Sequence, residues 1–82
     1  MYTKEIFGRK LKEKIITNQS LFKIGIWAHS IYLEYIDDID LEFRDILLTL
    51  NTMELGPEFE FTYEELNKIA DDLIAGREVN LK

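Results

Sequence analysis

The sequence predicts an all-α protein, a compact bundle of about four helices that form a single domain over residues 1–82. Three observations lead to this prediction. A chain of 82 residues can build one hydrophobic core but not two. Apolar residues make up 46% of the chain and recur at helical spacing in several segments. The only proline, Pro57, directly follows Gly56, so the chain has one clear interruption rather than many.

The first predicted helix covers residues 3–17. Its charged residues occupy the sides left free by the apolar ones, and Gly8 is its weak point because glycine lowers helix propensity. Asn18 and Gln19 interrupt the pattern, and Ser20 is a candidate N-cap for the next helix. The apolar positions of this first helix recur every four residues: Phe7, Leu11 and Ile15.

The second segment, residues 21–36, is so rich in apolar residues that we expect a central, mostly buried helix. Only Lys23, Ser30 and Glu34 form a polar stripe. A strand or hairpin remains the alternative, because apolar residues also alternate with Lys23 and Gly25. One apolar face holds Ile24, Trp27, Ala28, Ile31 and Tyr35, and much of the remaining surface is covered by Phe22, Ile26, Leu33 and Ile36.

The third segment has the clearest helical periodicity. It follows a turn, Asp37–Asp40, whose acids are candidate N-caps and complement the positive end of the helix dipole. Gly56 and Pro57 end it. Its apolar positions follow the three–four spacing of a helix: Ile39, Phe43, Ile46, Leu47, Leu50 and Met53.

A fourth helix is predicted from the best local signature in the chain. Thr62 and Glu65 have the spacing of a capping box, and Phe61 with Leu66 that of the accompanying hydrophobic staple. Gly76 ends the helix, and residues 77–82 form a short tail that frays or pairs in extended form. Just before the helix, alternation of apolar and acidic residues predicts a short extended segment near residues 58–61.

Charge divides the chain into two unlike parts. Residues 1–33 carry six bases and two acids, a net +4, whereas residues 34–82 carry four bases and fourteen acids, a net −10. An acidic region repels phosphate backbones and attracts basic proteins, so we expect a basic protein partner and no nucleic acid. The alternative is that the two parts neutralise each other within the fold, and we expect the basic first helix to pair with the acidic part.

Several kinds of site are not expected. The chain has no cysteine, which excludes disulfides, thiolate metal sites and thiol nucleophiles. No signal peptide or membrane span is predicted, so we expect a cytoplasmic protein with no membrane association. No motif indicates a cofactor, and we expect no enzymatic activity.

Two groups of residues have some features of a metal or catalytic site. Asp38, Asp40 and Glu42 alternate as calcium ligands do, but Phe43 stands where the calcium loop needs glycine, so helix capping explains these acids better. The lone His29 has no nucleophile-bearing motif near it, and a structural role is the better interpretation. One hypothesis for the function, kept as an alternative, is a small enzyme or metal-binding regulator centred on His29.

The candidate partner-binding surface is acidic and aromatic. Aromatic anchors ringed by carboxylates suit recognition of a basic protein, since the anchors supply desolvated contact and the charges accelerate encounter. The alternative is that Phe59 and Phe61 belong to the core, Glu65 is a cap and the other acids only confer solubility. The predicted partner-binding residues are Glu54, Glu58, Phe59, Glu60, Tyr63, Glu64 and Asp71.

The stretch from Met53 to Leu66, together with residues 69–73, resembles the C-terminal halves of small helical immunity proteins of bacterial polymorphic-toxin systems. The resemblance implies a compact bundle that binds and blocks a basic toxin domain, commonly a nuclease. The leading hypothesis is therefore an immunity or antitoxin-like inhibitor. The alternative is a structural homo-oligomer, such as a homodimer, or a small subunit of a larger assembly, in which aromatics such as Trp27 and Tyr32 pack against another chain.

Overall fold

The computed structural model describes residues 1–81. Its regular structure is entirely helical within these residues, which confirms the all-α prediction. Two short 3-10 helices, Thr52–Leu55 and Pro57–Phe59, connect the third α-helix to the fourth. The four α-helices are α1 (Lys4–Ile16), α2 (Leu21–Tyr35), α3 (Leu41–Asn51) and α4 (Tyr63–Ala75).

Each α-helix begins at a residue whose side-chain oxygen accepts a hydrogen bond from a backbone N–H three residues later. These caps satisfy donors that the helix itself leaves unpaired. The predicted caps Ser20 and Thr62 are confirmed, and Asp40 is the acid of its turn that takes this role. Thr62 and Glu65 form the predicted capping box in both directions, at 3.0 and 2.8 Å. Thr3 caps α1 in the same way.

The second segment is a helix, so the strand alternative is wrong. Its glycine explains how α2 approaches its neighbour: a Cβ atom on Gly25 would lie 3.2 Å from the carbonyl oxygen of Leu50. Asn51 on α3 donates to the carbonyl oxygen of Gly25 at 3.1 Å, and Arg44 donates to that of Ile36 at 2.6 Å. These contacts fix α2 and α3 as antiparallel neighbours.

Helices α1 and α4 form the second antiparallel pair. A Cβ atom on Gly8 would lie only 2.9 Å from the carbonyl oxygen of Ala70, so glycine permits this close packing. At the other end of the pair, the Tyr63 hydroxyl donates to the carbonyl oxygen of Gln19 at 2.8 Å. The core lies between the two pairs, and its largest fully buried side chains are Phe7, Leu11, Ile24, Ile46, Leu47, Leu50, Met53, Leu66 and Leu73.

The connection between α3 and α4 differs from the predicted extended segment near residues 58–61. Pro57–Phe59 form a 3-10 turn, and the backbone becomes extended only at Glu60, with φ −82° and ψ 139°. Proline at the first position of a helical turn favours this conformation, because its fixed φ is helical and its missing N–H has no partner to lose. The alternation of side chains alone did not distinguish the two conformations.

The C-terminal tail packs against the domain. Gly76 ends α4 in the left-handed conformation, with φ 75°, and the Arg77 N–H returns to the carbonyl oxygen of Asp72 at 2.8 Å. Val79 and Leu81 are partly buried against the core. Residues 77–81 therefore fold back onto the protein after α4, with no strand among them.

Candidate protein-binding surface

Residues 54–64, here called the acidic segment, include most of the connection from α3 to α4 and the first two residues of α4, and Gly56 lies between the two 3-10 turns. Its φ of 154° lies in a region that side chains disfavour, and a Cβ atom there would be 2.9 Å from Oε1 of Glu58. Glycine therefore permits this backbone conformation and leaves room for the Glu58 side chain beside it. The 3-10 turn that follows carries Phe59 outward and delivers Phe61 to the core.

Three aromatic side chains of this region have different environments. Phe61 is buried with the core, whereas Phe59 is 45% exposed and Tyr63 is 37% exposed. The Tyr63 hydroxyl is held by the carbonyl of Gln19, which orients the ring. Of the two phenylalanines considered as core residues, only Phe61 takes that role. Phe59 and Tyr63 remain available as apolar contact surface.

Three carboxylates of the acidic segment are exposed beside these rings. Glu58, Glu60 and Glu64 form no ion pair within the part of the chain that the structure describes. Their charges are therefore not cancelled by a neighbouring base there. Residues 58–64 thus carry two partly exposed aromatic rings and three exposed carboxylates within seven residues of chain.

Two predicted site residues, Glu54 and Asp71, form polar contacts with other residues of the protein. Glu54 is half-buried and accepts a hydrogen bond from Asn51 at 2.7 Å. Asp71 forms an ion pair with Lys12 of α1 at 2.6 Å, and its side chain is 45% exposed. A partner role for Glu54 and Asp71 stays a prediction, but neither carboxylate is as free as those of Glu58, Glu60 and Glu64.

The basic first helix is partly matched by the acidic part of the chain, as expected. Lys12 pairs with Asp71, and Lys4 pairs with Glu42 at 2.6 Å. Arg9 instead binds Glu5 of its own helix at 2.8 Å. Negative charge late in the chain is thus divided between carboxylates that form internal ion pairs and carboxylates that form none among residues 1–81.

One acid of α4 has a structural role. The Asp72 carboxylate is buried and accepts hydrogen bonds from Arg77 at 2.9 Å and Lys68 at 3.3 Å. The Arg77 guanidinium, helped by Lys68, holds the pKa of this carboxyl below its usual value, against the opposing effect of burial. Asp72 therefore anchors the C-terminal tail to α4 and is not part of the candidate surface.

The residues considered for metal binding and catalysis have other roles. Asp40 caps α3 and Glu42 pairs with Lys4, so the two acids do not converge as calcium ligands. Half-buried His29 lies beside Tyr32, with ring centroids 6.2 Å apart. The Ser30 hydroxyl donates to the carbonyl oxygen of Trp27 rather than to His29. A nucleophile–base pair is thus not formed by these two neighbours.

One face of α2 is apolar and exposed, which its sequence did not predict. That helix was expected to be mostly buried, yet Phe22 is 53%, Ile26 44% and Leu33 60% exposed. The helical spacing of these residues was visible, but spacing shows only that residues share a face and not whether another element covers it. Trp27, proposed as a surplus aromatic, instead stacks on Phe7 with ring centroids 4.6 Å apart.

No family model, curated protein sequence or solved structure matches this chain. Among residues 1–81, none of the helices combines the length and the apolar character required to cross a bilayer.

Proposed function

We propose that the protein is a non-catalytic binding module whose acidic segment docks on a basic protein. The observation that supports it best is that the acidic segment holds two half-exposed aromatic rings, Phe59 and Tyr63, close in sequence to three exposed carboxylates. These carboxylates have no ion-pair partner among residues 1–81. Rings at the centre of a contact exclude water, and charges at its rim accelerate encounter with an oppositely charged partner.

In its most specific form, the proposal is that the protein acts as an immunity or antitoxin-like inhibitor in the bacterial cytoplasm. Its acidic segment then covers a cationic active site, and inhibition is steric and electrostatic. The orientation of Tyr63 supports this role, because a ring already held by the carbonyl of Gln19 loses little freedom on binding.

The test is a charge reversal with a matched control. The binding variant carries Glu58→Lys, Glu60→Lys and Glu64→Lys. The control reverses three exposed acids elsewhere, Asp37, Asp38 and Asp45, which also form no ion pair among the described residues. Both variants change the net charge equally, so a difference between them reports the position of the charges and not their sum.

The wild-type protein is used to capture its partner from a lysate of the source cell, and affinity is then measured with the purified partner by titration calorimetry. We expect a basic partner, weaker binding in high salt because charges are screened over ~3 Å at 1 M, loss of binding in the acidic-segment variant and retention in the control. Circular dichroism establishes that both variants are folded. Unchanged affinity in the folded acidic-segment variant rejects the proposal.

A further inference from the structure

One face of α2, here called the α2 face, leaves large apolar side chains in solvent. Phe22, Ile26 and Leu33 are each at least 44% exposed and lie on one side of the helix, with half-buried His29 between them. Single exposed apolar residues are ordinary, but three in one row along three turns form a continuous strip.

Helix α3 and the turn after it also carry exposed apolar side chains. The hydrogen bonds from Asn51 to Gly25 and from Arg44 to Ile36 set the antiparallel register of the two helices. In that register Leu48 comes beside the middle of α2 and Leu55 beside its beginning. Both are exposed, Leu48 by 40% and Leu55 by 65%. Exposed apolar side chains therefore also occur on the neighbouring elements, at the levels of α2 that the strip occupies.

The charges beside this surface have an arrangement that favours self-pairing. Lys23 and Glu34 are exposed, lie on the same side of the α2 face with Ser30 between them, and form no ion pair among residues 1–81. They are separated by eleven residues, or ~16 Å along the helix, so they cannot meet within one molecule. When a second α2 helix lies antiparallel to the first, Lys23 at one end of the stripe comes opposite Glu34 of the second helix, and the reverse holds at the other end.

We propose that the α2 face binds a second copy of this chain, with the two α2 helices antiparallel about a two-fold axis near residue 28. This axis places Phe22 against Leu33 of the other copy and packs the two Ile26 side chains near the centre. It also keeps the polar stripes on one side of the interface, so that Lys23 of each copy meets Glu34 of the other. A two-fold contact forms every such pair twice.

This arrangement is compatible with the acidic segment and goes beyond the function proposed for it. Tyr63 contacts Gln19, so the acidic segment lies near the beginning of α2. Antiparallel pairing sends the two beginnings to opposite ends, ~20 Å apart for a helix of 15 residues. The two acidic surfaces therefore do not face each other, and a dimer presents both of them to partners.

Sedimentation velocity over a range of concentrations tests the proposal on the full chain. We expect a reversible monomer–dimer equilibrium for the wild type. Ile26→Glu is expected to weaken it about tenfold or more, because it introduces a charge at the centre of the contact. The matched control is Ile16→Glu. Ile16 is equally apolar, lies at the end of α1 and is 78% exposed, so this variant is expected to leave the equilibrium unchanged.

Charge exchange tests the antiparallel geometry. Lys23→Glu and Glu34→Lys are each expected to weaken the dimer, and the double variant is expected to recover most of the affinity because the two charges only change places. Circular dichroism checks that every variant is folded. A wild type that stays monomeric up to millimolar concentration overturns the proposal, as does a dimer that Ile26→Glu leaves intact. Failure of the double variant to recover overturns the antiparallel geometry.

Discussion

Replacing Gly8 by alanine tests how closely α1 packs on α4. A Cβ atom at this position would lie 2.9 Å from the carbonyl oxygen of Ala70 and 3.0 Å from side-chain atoms of both Leu73 and Ile74. All three distances are shorter than ordinary carbon contacts, which are about 3.5–4.0 Å. The backbone oxygen cannot rotate away as a side chain can, so the helices themselves must separate.

Two effects of opposite sign determine how much Gly8→Ala changes the free energy of unfolding. Alanine gains about 1 kcal/mol over glycine in helix propensity. Overpacking a closely packed interface costs about 1–3 kcal/mol, and the backbone contact at Ala70 puts Gly8 at the upper end of that range. We therefore expect Gly8→Ala to lower the free energy of unfolding by about 1–2 kcal/mol. The corresponding fall in Tm is about 4–8 °C for each kcal/mol in a domain of this size.

Gly25 supplies the matched control, because it is also a buried glycine inside a helix and has the same propensity gain. Its nearest contacts are longer, at 3.2 Å to Leu50, 3.3 Å to Glu54 and 3.4 Å to Met53. Chemical denaturation of both variants should show Gly8→Ala to be the less stable by about 1 kcal/mol or more. If Gly8→Ala is instead as stable as Gly25→Ala, the interface of α1 and α4 tolerates a methyl group and the reasoning fails.

Three further predictions concern single side chains. Thr62→Ala removes the cap and half of the capping box of α4 and should lower the free energy of unfolding by about 1 kcal/mol in urea denaturation, whereas a loss below the error of the measurement would show that the box is not formed. Tyr2→Phe removes a buried hydroxyl that has no hydrogen-bond partner among residues 1–81, so stability at neutral pH should stay equal or rise. Burial raises the pKa of Tyr2 to about 12, whereas the pKa of tyrosine in the unfolded chain is near 10. The wild type should therefore lose stability as the pH rises from about 10 towards 12, and Tyr2→Phe should lose less. Equal losses in the two proteins contradict this. The pKa of Asp72 is lowered in the folded protein, so its charged form stabilises the fold. This stabilisation is complete above the pKa of aspartate in the unfolded chain, about 3.9, and is lost as the pH falls through the folded pKa. Asp72→Asn should be less stable at neutral pH and less acid-sensitive in thermal denaturation, and a parallel acid response of both proteins would exclude this role.

The acid reversals and Ile26→Glu change different residues, so the tests of the proposed inhibitor and the proposed dimer are independent. Reversal of Glu58, Glu60 and Glu64 leaves the α2 face unchanged, and Ile26→Glu leaves the acidic segment unchanged. If the partner binds the monomer and the dimer equally, Ile26→Glu should retain partner affinity. A loss of partner binding in Ile26→Glu would instead show that the partner contacts the α2 face.

Helix starts could be predicted because they depend on residues close in sequence. Ser20 and Thr62 cap the helices that they were expected to cap, and Glu65 completes the box. A cap joins atoms three residues apart, so the information lies within one turn. The turn at Pro57–Phe59 was harder, because its alternating side chains fit both an extended strand and a 3-10 helix.

The candidate surface was predictable only in part. The sequence showed which acids and aromatics of the acidic segment are neighbours, but not that Phe61 is buried while Phe59 is exposed. It also could not show that Lys12 of α1 neutralises Asp71, since these residues are far apart in the chain. Surface ion pairs contribute little free energy each, so nothing in a local pattern selects one pairing over another.

The amino-acid sequence by itself favoured helices in all four segments and determined the starts of α2 and α4 and the main core positions of α3 and α4, because capping and periodicity act within a few residues. Only the tertiary structure decided which apolar face of α2 is covered and which remains in solvent at Phe22, Ile26 and Leu33. The physical reason is that hydrophobic burial has no direction: either face of this helix would gain from being covered, and the positions of the other three helices made the choice.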